Sequence, residues 1–183
     1  MIINVVHLLD KEFTGEFEAR PKRFPALVRL TAEGTQRFGA AIHVKVRAQR
    51  VGNFIEVTGT ARTFVGLSCS RCLAAFDIPH KTALEITYGR KSGDPQAPSR
   101  PSKTASDTEN VMLGVIPFSG DEIDLREGIQ EQILMNLPQH PLCKEACLGL
   151  CSLCGANRNT DPCDCSQAES DSPFSGLKDL FPR

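Results

Sequence analysis

The placement of eight cysteines constrains this 183-residue chain more than any other feature. They are Cys69, Cys72, Cys143, Cys147, Cys151, Cys154, Cys163 and Cys165, and the first 68 residues contain none. Two pairs have the spacing C-x2-C, namely Cys69-Ser-Arg-Cys72 and Cys151-Ser-Leu-Cys154. A third pair, Cys143 and Cys147, is C-x3-C, and Cys163-Asp-Cys165 is C-x-C. Two intervening residues let both sulfurs turn toward one cation, and eight is twice the four ligands of a closed tetrahedral zinc site. No stretch approaches the roughly 18 apolar residues of a membrane span. The opening MIINVVHLLDKEFTG places acids where an export signal would be apolar. The expected compartment is therefore the reducing cytoplasm, where clustered thiols are more often metal ligands than disulfides.

Spacing suggests how the cysteines divide. Gly155 directly follows Cys154, and Cys163 and Cys165 come after a polar loop of turn formers, Ala156 to Asp161. Cys151, Cys154, Cys163 and Cys165 thus form one compact four-cysteine site. Cys69, Cys72, Cys143 and Cys147 remain, and a second all-cysteine site made of them would clip a sheet to a helix end across a long loop. Cys147 joining Cys151 and Cys154 is another possible grouping, and His140 is a substitute ligand. A zinc ion held by four thiolates has no position left for water or substrate, so both sites are expected to be structural. Arg71, Lys144 and Arg158 lie in the ligand loops and could offset their negative charge. The competing reading of Cys69 and Cys72 is a thiol redox pair, which would normally open a helix after a strand. Here the following Leu73 to Pro79 is short and leads into another strand.

The rest of the chain reads as α+β: an antiparallel β meander covered by one main helix, with a cysteine-rich zinc-knuckle segment at the C-terminal end. Residues 1–90 form the β-rich part. Ala41 to Val51 alternates apolar Ile42, Val44, Val46 and Ala48 with His43, Lys45, Arg47 and Gln49, the period of a strand with one wet face. Gly52-Asn53 predicts a tight hairpin turn into Phe54 to Thr58. Gly59 then interrupts, Thr63 to Leu67 follows as a third strand, and Phe76 to Tyr88 as a fourth run. Ile2 to Val6 is a possible additional strand, while Pro21, Pro25, Gly15, Gly34 and Gly39 break up residues 13–40. Residues 91–110 are rich in Ser and Pro with only two apolar residues, the composition of a linker or long loop. Residues 111–183 supply a strand, Val115 to Phe118, which could rejoin the sheet, and a helix over 121–137. Leu125, Ile129, Ile133 and Leu137 make a single apolar stripe on that helix, and acids crowd its start. A short helical turn is expected from Ser172 to Phe181.

Charge is uneven along the chain. Residues 1–66 hold ten Lys/Arg against six Asp/Glu (+4), whereas residues 111–183 hold five against eleven (−6). Lys45, Arg47, Arg50 and Arg62 of the basic meander, with Arg71 in the first cysteine pair, are the candidate contacts to nucleic acid or another partner. The sequence has no Gly-rich phosphate loop, H-E-x-x-H or G-x-S-x-G. The four histidines are scattered, and no small-molecule substrate is indicated.

The order of motifs resembles a known family. It runs Leu67-Ser-Cys69-Ser-Arg-Cys72-Leu73, Asn136-Leu137-Pro138, Pro141-Leu142-Cys143, Gly149-Leu150-Cys151-Ser-Leu-Cys154-Gly155-Ala-Asn157 and Cys163-Asp-Cys165. This pattern is similar to the YceD-type large ribosomal RNA accumulation proteins. The resemblance implies a small cytoplasmic protein of bacterial or organellar type, without known catalytic activity, that is needed for normal levels of large-subunit ribosomal RNA. Its partner would be a large-subunit ribosomal RNA precursor or a large-subunit ribosomal protein. Arg158 stands where the family more often has Leu, and Ser172-Pro-Phe174 replaces its usual Asp-Pro-Arg-Trp. A zinc-ribbon interaction module acting elsewhere is the other non-enzymatic reading.

Overall fold

In a computed structural model of the chain, residues 1–8, 11–34, 36–91 and 114–165 are described here. The linker expected at 91–110, apart from Lys91, and the terminal turn expected at 172–181 lie outside those residues. The chain divides into two compact units. One comprises Met1–Ser68 and Ala75–Gln139; the other collects Cys69–Ala74 with the chain from His140 onward.

The first unit is α+β. Its strands are β1 Ile2–Asn4, β2 Phe13–Ala19, β3 Arg37–Phe38, β4 Ile42–Val51, β5 Phe54–Ser68, β6 Ala75–Arg90, β7 Val115–Phe118 and β8 Glu122–Asp124. Its helices are α1 Pro25–Ala32 and α2 Arg126–Met135. The main sheet has the order β2-β4-β5-β6-β7, with β3 also on β5. Alternation dictates its two faces. Ile42, Val44, Val46 and Ala48 point into the core, while His43, Lys45, Arg47 and Gln49 face water. The predicted turn closes β4 onto β5 with Val51 opposite Phe54. Gly52 takes the first turn position with φ +60, as a II′ hairpin turn requires.

The remaining strands depart from the sequence expectation in instructive ways. Gly59 does not interrupt anything; β5 runs 15 residues straight through it. A Cβ at this position would lie 2.0 Å from the carbonyl oxygen of Lys45, so the glycine permits close approach of β4 rather than ending a strand. Val115–Phe118 does rejoin the sheet, but parallel to β6, which makes the sheet mixed.

Helical content also shifts. The helix expected over 121–137 begins only at Arg126. Its predicted acidic first turn is instead β8, where Ile123 pairs with Ile3 of β1 in a separate two-stranded sheet. Leu125, Ile129 and Ile133 are fully buried, as the stripe predicted, but Leu125 caps the helix rather than lying in it, and Leu137, past its end at Met135, is only half-buried. A second helix, α1, joins α2 in the core through Leu27, with Phe24 beside it. Pro25, which reads as a breaker, occupies the first helical turn of α1, where a missing N–H costs nothing. Core side chains of β4, β5 and β6 pack in the same cluster as Ile129 and Ile133. No helix among the described residues is long and apolar enough to cross a membrane.

Among its described residues the second unit holds little regular structure: they form a succession of turns with one isolated bridge between Leu150 and Asn157, and all eight cysteines belong to this unit.

Candidate metal centres and the outer sheet face

The two C-x2-C pairs fold into the same turn. In the first, the N–H of Leu73 donates to the carbonyl of Cys69 (2.9 Å), and the N–H of Cys69 to that of Ala74 (2.9 Å). In the second, Gly155 donates to Cys151 (2.9 Å) and Cys151 to Ala156 (2.8 Å). The residue after the second cysteine is left-handed in both, Leu73 at φ +59 and Gly155 at φ +75. Glycine suits that position without strain; leucine does not, and Leu73 is the one non-glycine with positive φ among the described residues. Such turns aim successive backbone N–H groups at the first sulfur, the arrangement that stabilises thiolate.

The sulfurs collect in two groups, Cys69, Cys72, Cys143 and Cys147, and Cys151, Cys154, Cys163 and Cys165. Within each, the four Sγ atoms lie within 4.8 Å of one another. Cys147 falls in the first group and not with Cys151 and Cys154, and His140 is exposed and belongs to neither. The Sγ separation is 3.7 Å for Cys69–Cys147 and 3.6 Å for Cys72–Cys143. A tetrahedron with zinc–sulfur bonds of about 2.3 Å has edges of about 3.8 Å, so these spacings fit a four-thiolate cation site. They are far beyond a disulfide bond of about 2.05 Å, and all eight cysteines are free.

Ionisation within each group points the same way. Burial opposes charge on Cys69, yet hydrogen bonds from the backbone of Cys143, Cys72 and Arg71 outweigh it and bring the thiol to about 6. Cys143 is pushed up to about 12 by burial and by the sulfurs of Cys72, Cys147 and Cys69. In the second group the backbone N–H groups of Cys154 and Leu153 lead in bringing Cys151 to about 6, while the neighbouring Cys154 and Cys163 push Cys165 to about 12. A bare cluster therefore loses its first proton easily and its last with difficulty. A divalent cation is the species that lets all four sulfurs ionise together.

The groups differ in exposure and are tied by hydrogen bonds. Cys69, Cys72 and Cys147 are buried, whereas Cys154 and Cys165 are exposed. Asn159, from the loop between Cys154 and Cys163, donates from Nδ2 to the sulfur of Cys147 at 3.4 Å. The same Nδ2 donates to Oδ1 of Asn157 (2.8 Å), and Oδ1 of Asn159 accepts from the N–H of Leu148 (3.0 Å). Arg71 donates from Nη1 to the carbonyl of Cys147 (3.0 Å), and its own carbonyl accepts from the N–H of Leu150 (3.1 Å). Gly149 permits this crossing: its φ is +74, and a Cβ there would sit 3.2 Å from the carbonyl oxygen of Arg71. The bracing roles of Asn157, Asn159 and Gly149 were not read from the sequence, where these residues figure only as turn formers and motif positions, although Asn-x-Asn between two cysteine pairs was the available signal.

The basic candidates sit differently from their sequence appearance. Strand β2 lies against β4 with Glu16 opposite Lys45 and Glu18 opposite His43. Lys45 is paired with Glu16 at 2.7 Å, Arg47 with Glu12, and His43 with Glu18 at 3.7 Å. The Arg47 partnership holds the Glu12 carboxyl below its usual range. Arg50 donates from Nε to the carbonyl of Gly52 (3.1 Å). Arg62 is exposed on β5, opposite Lys81 of β6.

Known proteins resemble this chain at modest identity. It is 25% identical over 159 residues to the large ribosomal RNA subunit accumulation protein YCED homolog 1, chloroplastic, of Arabidopsis thaliana, covering 78% of this chain and 49% of that protein. An uncharacterized protein of Mycobacterium leprae is 26% identical over 149 residues, 81% of this chain and 64% of its own. One of Mycobacterium tuberculosis is 27% identical over 124 residues, 68% and 55%. The chain thus spans between about half and two thirds of the length of these relatives. No solved structure matches it significantly. The model of the large ribosomal RNA subunit accumulation protein YceD matches residues 57–181, and with that span, which includes both cysteine clusters, the chain belongs to the YceD family.

Proposed function

We propose that this protein is a non-enzymatic assembly factor that supports accumulation of large-subunit ribosomal RNA in the cytoplasm, with a metal-braced unit built on two structural zinc sites. The observation that carries the reading is the pair of closed four-sulfur groups in a chain of the YceD family. Cys69, Cys72, Cys143 and Cys147 would hold one ion, and Cys151, Cys154, Cys163 and Cys165 the other. Bound zinc would supply cross-linking and charge neutralisation rather than a reacting centre, since four thiolates fill its coordination. The first site joins residues 71 and 78 positions apart, so it restricts the unfolded chain strongly. A thiol oxidoreductase would need an accessible nucleophile, and Cys69 and Cys72 are both buried. The partner in this reading is a large-subunit ribosomal RNA precursor or a large-subunit ribosomal protein; what supports a link to the large subunit is that the chloroplastic relative is named a large ribosomal RNA subunit accumulation protein.

Conditional depletion in the native host, followed by quantifying large-subunit against small-subunit ribosomal RNA, tests this function. Depletion should lower the ratio, and the wild-type chain should restore it while a Cys72→Ser/Cys143→Ser variant should not. An unchanged ratio on depletion would refute the proposal.

A further inference from the structure

The outer face of the main sheet shows two kinds of charge. On β4, Lys45 and Arg47 have glutamate partners supplied by β2 and its preceding residue. One step along, His43, Arg62 and Lys81 stand directly opposite one another across β4, β5 and β6. His43 has Glu18 beside it. Among the described residues Arg62 and Lys81 have no ion-pair or side-chain hydrogen-bond partner, and both are exposed. Like charges placed directly opposite on a sheet are destabilising, so folding gains nothing from this pair. The flanking cross-strand positions hold Phe64 with Pro79 on one side and Thr60 with Ala83 on the other, none of them acidic.

Phe64 is the second anomaly. It is a large aromatic on the wet face, 61% exposed, between residues that bury themselves normally. Its backbone is fixed from both sides: it pairs with Pro79 on β6, and its carbonyl accepts from the N–H of Gly39 at 2.7 Å. The ring therefore stands on a rigid strand rather than a loop. A fixed aromatic two residues from an unpaired pair of cations has the chemistry of a single-stranded nucleic-acid platform, phosphates meeting the cations and a base stacking on the ring. Cross-strand spacing of about 5 Å between Arg62 and Lys81 lets both reach one strand of phosphates.

We infer that the outer sheet face around Arg62, Lys81 and Phe64 is a contact site for single-stranded RNA. This rests on the assembly-factor reading and sharpens it, choosing RNA over protein as the ligand of this face. It also moves the contact away from Lys45 and Arg47, which the glutamates neutralise.

The test uses the full metal-loaded chain and a fluorescein-labelled 12-nucleotide oligouridylate, with anisotropy measured from 50 to 200 mM salt. Arg62→Gln/Lys81→Gln should weaken binding and flatten the log–log salt slope by about 1.4, some 0.7 for each lost phosphate contact. Phe64→Ala should weaken binding about tenfold with the slope unchanged. Lys45→Gln should have less effect than either. In case the variants are unstable, photocrosslinking of the wild-type chain to 4-thiouridine RNA supplies a second readout, with adducts expected on the Arg62–Phe64 or Pro79–Lys81 peptides. Absence of binding by the wild-type chain, an unaltered slope in a folded double variant, or adducts confined elsewhere would overturn the inference. Those results would leave intact a ribosomal RNA deficit on depletion, whereas an absent deficit with intact oligouridylate binding would overturn the assembly-factor reading alone.

Discussion

Replacing Asn159 by alanine probes how the two cysteine groups depend on each other. Asn159 lies in the loop of the Cys151, Cys154, Cys163 and Cys165 group, yet its Nδ2 reaches the sulfur of Cys147 in the other. Truncation removes that bond, the Nδ2 bond to Asn157 and the one Oδ1 accepts from Leu148. Leu148 is 60% exposed, so its N–H lies in a segment at the surface where water is the replacement acceptor expected. The loss is therefore concentrated at the sulfur. A hydrogen bond to a charged acceptor contributes about 1.5–3 kcal/mol, and removal of such supporting contacts weakens metal binding about 10–100-fold. The two ranges agree. Cadmium-113 NMR of the cadmium-substituted protein resolves the two sites, so a chelator titration reads their occupancies separately. Asn159→Ala should lower the affinity of the Cys69, Cys72, Cys143 and Cys147 site by about 10–100-fold, and by more than that of the site whose loop carries the mutation. Equal loss at both sites, or loss only at the local one, would refute the reasoning.

Other changes give equally definite expectations. Gly59→Ala puts a methyl 2.0 Å from the Lys45 carbonyl and must force β4 and β5 apart; a loss of about 3 kcal/mol should appear as a lower urea midpoint. Leu73→Gly removes a left-handed leucine, and relief of about 1–2 kcal/mol, less the entropy cost of glycine, should raise the thermal midpoint modestly. The hydrogen bond from Arg126 leads in lowering the Asp124 carboxyl, so its stabilising effect is complete above the ordinary value of 3.8 and fades as pH falls through the lower folded value. Asp124→Asn should accordingly melt below wild type at pH 6, and the gap should shrink toward pH 3.

The parts of this architecture legible in the sequence were those decided by local pattern. Alternation from Ile42 to Val51 and the Gly52-Asn53 turn specify a hairpin because period-two burial and a positive φ are short-range requirements. The burial of Leu125, Ile129 and Ile133 followed from helical spacing in the same way. The grouping of the cysteine sulfurs was readable because C-x2-C and C-x-C restrict where thiols can point. What escaped detection depended on distant partners. Gly59 reads as a breaker unless the approach of Lys45 is known. Asp121, Glu122 and Asp124 read as a helix start because nothing local reveals that Ile123 pairs with Ile3. Lys45 and Arg47 read as a basic face because their glutamate partners, Glu16 of β2 and Glu12 just before it, lie 29 and 35 residues earlier. Residues 25–32 formed a helix despite Pro25, since a proline in the first turn is compatible with one and burial of Leu27 favours it.

Zinc stoichiometry, measured by elemental analysis alongside thiol alkylation of the native protein, tests the central claim most directly. Two ions per chain, with all eight cysteines slow to alkylate until a chelator is added, is the predicted result. A folded chain that carries no metal or only one equivalent, or whose cysteines are found linked as disulfides, would contradict it.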